Sequence, residues 1–351
     1  MRATSERPSA AVARDPGARA PATLTIARVD PLDHGAAIKQ LFLAHERPEF
    51  PDYFERAYPT AVANGGTSWV GWDEHGRLCA HVAQFPREFA VARRGVRGAL
   101  LANLMVAKPY RTFWPALALL RRAVKDLRAS GSVDFVYADP NEQAQPVLRA
   151  AGFHSAGALR RFVLPLTHRR RSVAQAIRLY HLLRRWGTTP LVAIERGVEE
   201  PAGVFPTADP GSLRPVRDPS LYPARLAGYP SASDRWYTFR PPGLRGVLVG
   251  EALVRGPDRE GVTVVCVLHY EPVALLSSLL VALVRRLRDT GATRLEIWAM
   301  LESQVADAVQ RAGFLPRPEH VSVLALPLTA LGTEAMTVGC EWRLLPIDLD
   351  R

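Results

Sequence analysis

Residues 119–166 read LLRRAVKDLRASGSVDFVYADPNEQAQPVLRAAGFHSAGALRRFVLPL, and residues 280–328 read LVALVRRLRDTGATRLEIWAMLESQVADAVQRAGFLPRPEHVSVLALPL. Both stretches open with apolar residues at i, i+3 and i+4 spacing and arginines on the opposite side, the pattern of an amphipathic helix. Each helix runs into a glycine, Gly131 or Gly291, suited to a left-handed C-cap. A short apolar run follows, Val133–Tyr137 or Leu295–Trp298, of the kind expected for a buried parallel strand. Then come a second short helix, an Ala-Gly-Phe corner (Gly152, Gly313) and a last strand ending in Pro-Leu. The spacing from turn glycine to corner glycine differs by one residue between the two. Self-similarity on this scale decides the architecture before any other feature does: the chain is read as two tandem copies of one unit.

Upstream residues extend the match. An opening strand, Leu24–Arg28, precedes a helix from Leu32 to about His45 and a second helical stretch from Glu49 to Asn64. Thr67–Trp72 and Leu78–Phe85 alternate like a hairpin around Glu74-His75-Gly76, and Arg97–Val106 reads as a third strand. The first copy therefore runs β-α-α-β-β-β-α-β-α-β. Trp236–Phe239, Val247–Val254 and Val262–Leu268 repeat the strand part of that order in the second. The expected class is α/β (α+β): two units, each a mixed, mostly antiparallel central sheet flanked by helices. Along the chain this divides into a disordered tail at 1–22, a first unit at 23–166, a basic helix and connection at 167–208, and a second unit at 209–351.

Composition narrows the functional classes. With 351 residues, 48% hydrophobic and 23% charged, there is material for two cores. The longest apolar run, Val273 to Val284, is broken by two serines and falls short of the roughly 20 residues a spanning helix needs. The first 22 residues lack the apolar core of a secretory signal. Three widely spaced cysteines, Cys79, Cys266 and Cys340, fit neither a disulfide framework nor a zinc site, and no metal is expected. A cytoplasmic protein is the expectation. The net charge of +11 is carried almost wholly by arginine, with only Lys39, Lys108 and Lys125 as lysines. A GC-rich coding bias produces such usage, so the charge is weak evidence for a polyanion, and nucleic acid is not expected as a partner. Thr167–Trp186 is the basic exception, with arginines interleaved by Val173, Ile177, Tyr180 and Leu183. It reads as an amphipathic connecting helix packed across both units, or as a basic helix resting on an anionic membrane or polyanion.

The element order and the corner resemble the GNAT acyltransferase superfamily. In that family a central strand leads into a loop of form [QR]-x-x-G-x-[GA], whose amides at a helix N-terminus hold the coenzyme A pyrophosphate, an anion site made by aligned N–H groups and the helix dipole. Here the strand through Leu104, Met105 and Val106 is followed by Arg111-Thr112-Phe113-Trp114-Pro115-Ala116. Arg111 matches the first position and Ala116 the last, while Trp114 stands where the family usually has glycine and Pro115 removes a donor. Asp139-Pro140-Asn141, Ala144 and Ala151-Gly152-Phe153 resemble the family's Asn-x-x-Ala…Gly-Phe segment. Leu148 occupies the place of its thiolate-protonating tyrosine. Asn141 has a second reading, as a helix cap. The resemblance covers about 23–166 well and 209–328 weakly. In the second copy Tyr270–Ser278 has no such loop, and Glu302 or Ser303 replaces Asn141, so that copy is not expected to bind coenzyme A.

What the resemblance implies is a transferase that passes an acyl group, acetyl in the first instance, from acyl-coenzyme A to an amine or hydroxyl of a small-molecule, sugar or peptide acceptor. Leu104, Met105 and Val106 would align the pantetheine, Arg111, Thr112, Phe113, Trp114 and Ala116 the pyrophosphate, and Asn141 would lie beside the pantetheine arm. For the acceptor, the segment His45–Tyr53 is rich in candidates, Glu46 and Glu49 first, with Tyr137 and Asp139 as alternatives for the proton-taking base. Two other readings stand beside this one: a binding or scaffold protein built from two decayed units, and a tRNA-dependent aminoacyl transferase.

Overall fold

The computed structural model describes residues 24–91, 94–167, 176, 190–196, 212–215, 234–243, 249–270, 273–301, 303–337 and 341–342. The basic segment at Thr167–Trp186 lies outside them except for its first residue and Ala176. In the first copy, β1 (Thr25–Val29), α1 (Gly35–Leu43) and α2 (Phe50–Ala63) lead into a meander of β2 (Thr67–Trp72), β3 (Leu78–Val91) and β4 (Arg94–Val106). Then follow α3 (Phe113–Ser130), β5 (Phe135–Ala138), α4 (Gln145–Ala150) and β6 (His154–Pro165). This is the order the sequence implies. Strands β3 and β4 are longer than read, because their hairpin continues through Pro86↔Ala99 to Val91↔Arg94 despite the proline.

The remaining elements are β7 (Val192–Arg196), β8 (Ser212–Pro215), β9 (Arg235–Arg240), β10 (Gly250–Arg255), β11 (Val262–Tyr270), α5 (Leu276–Leu287), β12 (Arg294–Met300), α6 (Gln304–Arg311), β13 (Leu315–Pro327), α7 (Ala330–Ala335) and β14 (Glu341–Trp342). The repeated sequence features land on matching geometry. Gly131 and Gly291 are left-handed at φ 56° and 81°, and corner glycines Gly152 and Gly313 both stand at φ 100°. Behind the corners Phe153 and Phe314 are equally buried. Helix α3 buries Ala116, Leu119, Leu120, Ala123, Val124 and Leu127 on one face, as its periodicity requires.

All but two strands form one path, β1-β2-β3-β4-β5-β13-β6-β12-β11-β10-β9-β7. The middle of that path is an exchange. The last strand of the second copy, β13, pairs antiparallel with β5 of the first, from Leu324↔Ala138 to Pro327↔Phe135. The last strand of the first copy, β6, pairs antiparallel with β12 of the second, from Arg294↔Pro165 to Met300↔Leu159. The two exchanged strands also pair with each other. Read outward from the centre, the two halves then have the same order, with β7 in the edge place of β1. Strand β7 falls within the stretch that the sequence reading assigned to the connection.

Packing follows the exchange. Phe162, Leu164 and Leu166 lie in one core with α5 and α6, whereas Leu324 and Leu326 pack with α3 and Val323 and Ala325 pack beneath α1 and α2. Beyond β13 the chain is latched to the first unit. Leu328 N and Thr329 N donate to Asp134 O at 2.8 and 3.2 Å. Gly332 approaches the same carbonyl so closely that an added Cβ would lie 1.9 Å from it, so only glycine fits. No described helix is long and apolar enough to cross a membrane.

Leu324 is fully buried, so Leu324→Ala should cost about 2–5 kcal/mol. Because that side chain belongs to one copy and fills the core of the other, chemical denaturation should show both halves losing stability together. A variant that unfolds only the second half would contradict the exchange.

Candidate functional site

Strands β4 and β5 are parallel neighbours only over Gly98↔Phe135, Ala99↔Val136 and Leu100↔Tyr137. Past Leu100 they diverge, and β4 runs on to Val106 with no strand on that side among the described residues. The divergence opens a cleft of about 710 Å³ between α1, α2, the end of β4 and the start of α4, a size suited to a substrate or cofactor. Its walls bring together Glu49, Asp52 and Tyr53 from α2 and its cap, Asn103, Leu104 and Met105 from β4, and Asp139, Asn141 and Leu148 from the β5–α4 side.

Where β4 enters the cleft it bulges. Two residues, Asn103 and Leu104, face the single Val82 between the pairs Ala83↔Ala102 and His81↔Met105. Asn103 is left-handed at φ 57°, a conformation asparagine tolerates better than most side chains. Its Nδ2 donates to Tyr58 Oη at 3.1 Å, and its carbonyl lies 3.0 Å from His81 Nδ1. A carbonyl only accepts, so Nδ1 carries the proton, and Nε2 is left to accept the Ser68 hydroxyl at 3.2 Å. Ser68 and His81 are both completely buried. Burial pushes the His81 imidazole down to about 4, against the smaller opposing pull of the Asn103 carbonyl.

The loop from β4 to α3 is held at two points. His45 Nδ1 donates to Leu41 O at 2.7 Å, and its Nε2 accepts Lys108 N–H at 2.8 Å. Tyr110 Oη donates to Asp73 Oδ2 at 2.8 Å. Asp73 also accepts from His75 N, Arg77 N and Arg77 Nε. Burial raises the Asp73 carboxyl, but those hydrogen bonds outweigh it and hold the group well below the usual carboxylate range. Past the loop, Thr112 is extended and makes no side-chain cap, so the first-turn amides of α3 are not claimed by it.

The residues singled out from sequence divide between cleft and rim. Glu49, Leu104, Met105 and Asn141 line the cleft. Glu46 does not; it is exposed beside Lys108, 3.8 Å away. Val106, Arg111, Thr112, Phe113, Trp114 and Ala116 also lie outside the lining, at the loop and the start of α3. Arg111 folds back on the end of β4, its Nε donating to Val106 O at 3.3 Å. Trp114 is 61% exposed and projects from the body rather than into the cleft. Glu49 is paired with Arg47, whose guanidinium holds the carboxyl below its usual range. Asn141 does act as a cap, its Oδ1 accepting Ala144 N at 2.9 Å. Ser303 makes the same contact with Ala306 N at 3.0 Å in the second copy. Glu302, and Glu271 within the Tyr270–Ser278 segment, lie outside the described residues. Tyr137 is sealed in the core among Phe89 and Phe135. Sequence reasoning missed Asn103, His81, Ser68 and Tyr110. Only Asn103 carried a local signal, as a left-handed-tolerant residue inside an otherwise apolar strand. Among the described residues no cluster of His, Cys, Asp and Glu is arranged to hold a metal ion.

Comparison with solved structures places this architecture. The chain is similar over 88% of its length to a conserved protein of Enterococcus faecalis V583, covering 74% of that chain (TM-score 0.62, 11% identity). It is similar over 89% of its length to a GCN5-related N-acetyltransferase of Kribbella flavida, covering 74% of that chain (TM-score 0.61, 15% identity). It also matches a tandem GNAT protein from the clavulanic acid biosynthesis pathway, over 88% of this chain and 99% of that one (TM-score 0.51, 15% identity). The chain has the GNAT fold in a tandem arrangement. No family model matches the sequence, and no curated protein matches it.

The buried histidine gives a pH prediction. Unfolded histidine takes its proton at about pH 6.5, while folded His81 resists it down to about 4. Between those values the unfolded state binds more protons, so stability falls as pH drops through that window, by about 3 kcal/mol for this one group. Below it the loss levels off. In denaturant melts from pH 7.5 to 4, His81→Asn should show a correspondingly shallower slope than the wild type.

Proposed function

We propose that the protein transfers an acyl group from acyl-coenzyme A to an amine or hydroxyl, using the cleft between β4 and β5. The observation that carries this reading is the cleft itself. One open cavity has Leu104, Met105 and Asn141 on its walls, which the resemblance assigns to the donor, and Glu49 on the facing helix, where an acceptor would enter. A decayed site would be filled by side chains, and Trp114 does not fill this one.

The residues present fit the donor. The uncapped first turn of α3, with Arg111 and Lys108 beside it, suits a pyrophosphate. The unpaired edge of β4 offers amides to a pantetheine and to the thioester carbonyl. In the reaction the acceptor nitrogen or oxygen bonds to the acyl carbon, the carbon–sulfur bond breaks, and the acceptor proton passes to a carboxylate. Asp52 and Asp139 are the bases offered by the cleft. Glu49, already paired with Arg47 and lowered, is a weaker base and a better anionic contact for an amine acceptor. Leu148 cannot protonate the leaving thiolate. Tyr53 supplies the phenol among the lining residues, with solvent as the other proton source. Most of the acceleration then comes from positioning and from amide donors.

Thermal unfolding tests the donor. Ligand at about 100 times its dissociation constant adds roughly 2.7 kcal/mol, so millimolar acetyl- or propionyl-coenzyme A should raise the wild-type midpoint, and Arg111→Glu should abolish most of the rise. No shift with any acyl-coenzyme A would favour the binding-protein reading instead.

A further inference from the structure

An acyl-transfer site needs its amide donors but not the two fully buried polar side chains beneath them, Ser68 and His81. Polar groups in such a place cost stability unless each is satisfied, and here each is satisfied toward the bulge. The ladder is regular on both sides of Asn103 and irregular only there. A left-handed non-glycine residue persists only where its surroundings over-determine it. The surroundings are explicit: the carbonyl is taken by His81 Nδ1–H at 3.0 Å, and the side-chain amide is taken by Tyr58 at 3.1 Å. Ser68, from β2, fixes the imidazole by donating to Nε2 at 3.2 Å. Around the ring pack Phe42 from α1, edge-on at 5.7 Å, and Tyr58 from α2, at 6.1 Å. The two residues that follow Asn103 in the chain, Leu104 and Met105, line the cleft.

We propose that His81 is a positioning residue: the line Ser68–His81–Asn103 holds the β4 bulge so that the amides of Leu104 and Met105 polarise the thioester carbonyl. This rests on the acyl-transfer reading above. The part of the imidazole that does the positioning is Nδ1–H, since it alone reaches the bulge carbonyl. An asparagine at 81 can place its amide nitrogen near Nδ1 and keep that donation. A glutamine places its nitrogen near Nε2 and keeps only the Ser68 contact. A leucine keeps neither.

The test uses the full chain and acetyl-coenzyme A labelled with 13C at the carbonyl, whose chemical shift on binding reports polarisation without any acceptor. Binding to the wild type should move the carbonyl downfield. His81→Leu and His81→Gln should bind the donor with similar affinity but lose most of that shift, and His81→Asn should recover most of it. Ser68→Ala, which preserves the ring but not its orientation, should lie between. With an active amine acceptor, kcat should fall roughly 10- to 100-fold in the leucine and glutamine variants, with KM for the donor little changed. Folding of each variant is checked by its thermal transition. Should His81→Leu not fold, the asparagine–glutamine pair carries the comparison alone. A wild type that does not bind acetyl-coenzyme A overturns the acyl-transfer reading, and this inference with it. A wild type that binds with a shifted carbonyl, matched by an equal shift in the leucine or glutamine variant, overturns this inference alone.

Discussion

Strand β5 has four residues, all buried, and both of its edges must find partners, because buried backbone donors and acceptors left unpaired are costly. One edge has β4. The other is taken by β13, the last long strand of the second copy, and that antiparallel pairing is the contact on which the candidate site depends. With β5 held from the far side, and Asp134 at its start tied to Leu328, Thr329 and Arg97, β4 is free to turn away after Leu100. The cleft is the gap that results. Had β5 been anchored by β4 alone, its few residues would need β4 along their whole length, and the two strands could not part. The opening in the first unit is thus a consequence of a strand contributed by the second.

The two copies solve the same local problem with opposite charges. On the edge of the first unit Arg28 pairs across the ladder with Trp69, its guanidinium 5.9 Å from the ring, and Trp69 Nε1 donates to Asp126 of α3 at 2.9 Å. On the edge of the second, Glu195 pairs with Tyr237 and meets Arg286 of α5 at 3.0 Å. In the first unit the tryptophan is the link between strand and helix; in the second the strand carboxylate reaches the helix arginine directly, with acid and base exchanged. The partly exposed ion pair of the second unit adds little stability, so the shared feature is the geometry of the repeated unit and not the sign of each charge.

How much of this could be read from the sequence follows from the range of each interaction. The helices, the left-handed turns at Gly131 and Gly291 and the corners at Gly152 and Gly313 are set by residues close along the chain, and their patterns are visible there. Asn141 is readable as a cap for the same reason. The exchange of β6 and β13 could not be seen, because alternation along a strand specifies which face is buried and not which edge it will meet. Both final strands end in similar apolar residues before Pro-Leu, so either would satisfy either core. The bulge was hidden too. It depends on Ser68 and His81, whose contact is a diagonal across a ladder known only once the register is known. Leu148 and Trp114 were legible as departures from the GNAT pattern, yet their consequences differ: Leu148 lines the cleft and Trp114 stands outside it.

The second unit has a strand divergence and a bulge of its own. Its strands β11 and β12 pair only over Val262↔Arg294 to Val264↔Glu296, and β11 carries an extra residue, Cys266, where Leu253↔Val267 passes to Val254↔Val265. The divergence is the same, but the bulge lies one residue earlier, since Cys266 matches Ala102 rather than Asn103. Matching Phe85↔Leu100 to Arg255↔Val264 puts Glu251, buried like its counterpart, in the place of His81. An imidazole can donate from one nitrogen and accept at the other, so it can join a hydroxyl to a carbonyl. The Glu251 side chain has no such pair of ring nitrogens, and it lies two residues past the bulge at Leu253 rather than beside it. The fold tolerates the exchange because the strand order and the cores do not depend on it. What it alters is the chemistry offered at that point: a ring that bridges the Ser68 hydroxyl and the Asn103 carbonyl in the first unit, and a buried glutamate in the second, so the positioning role proposed for His81 belongs to the first unit.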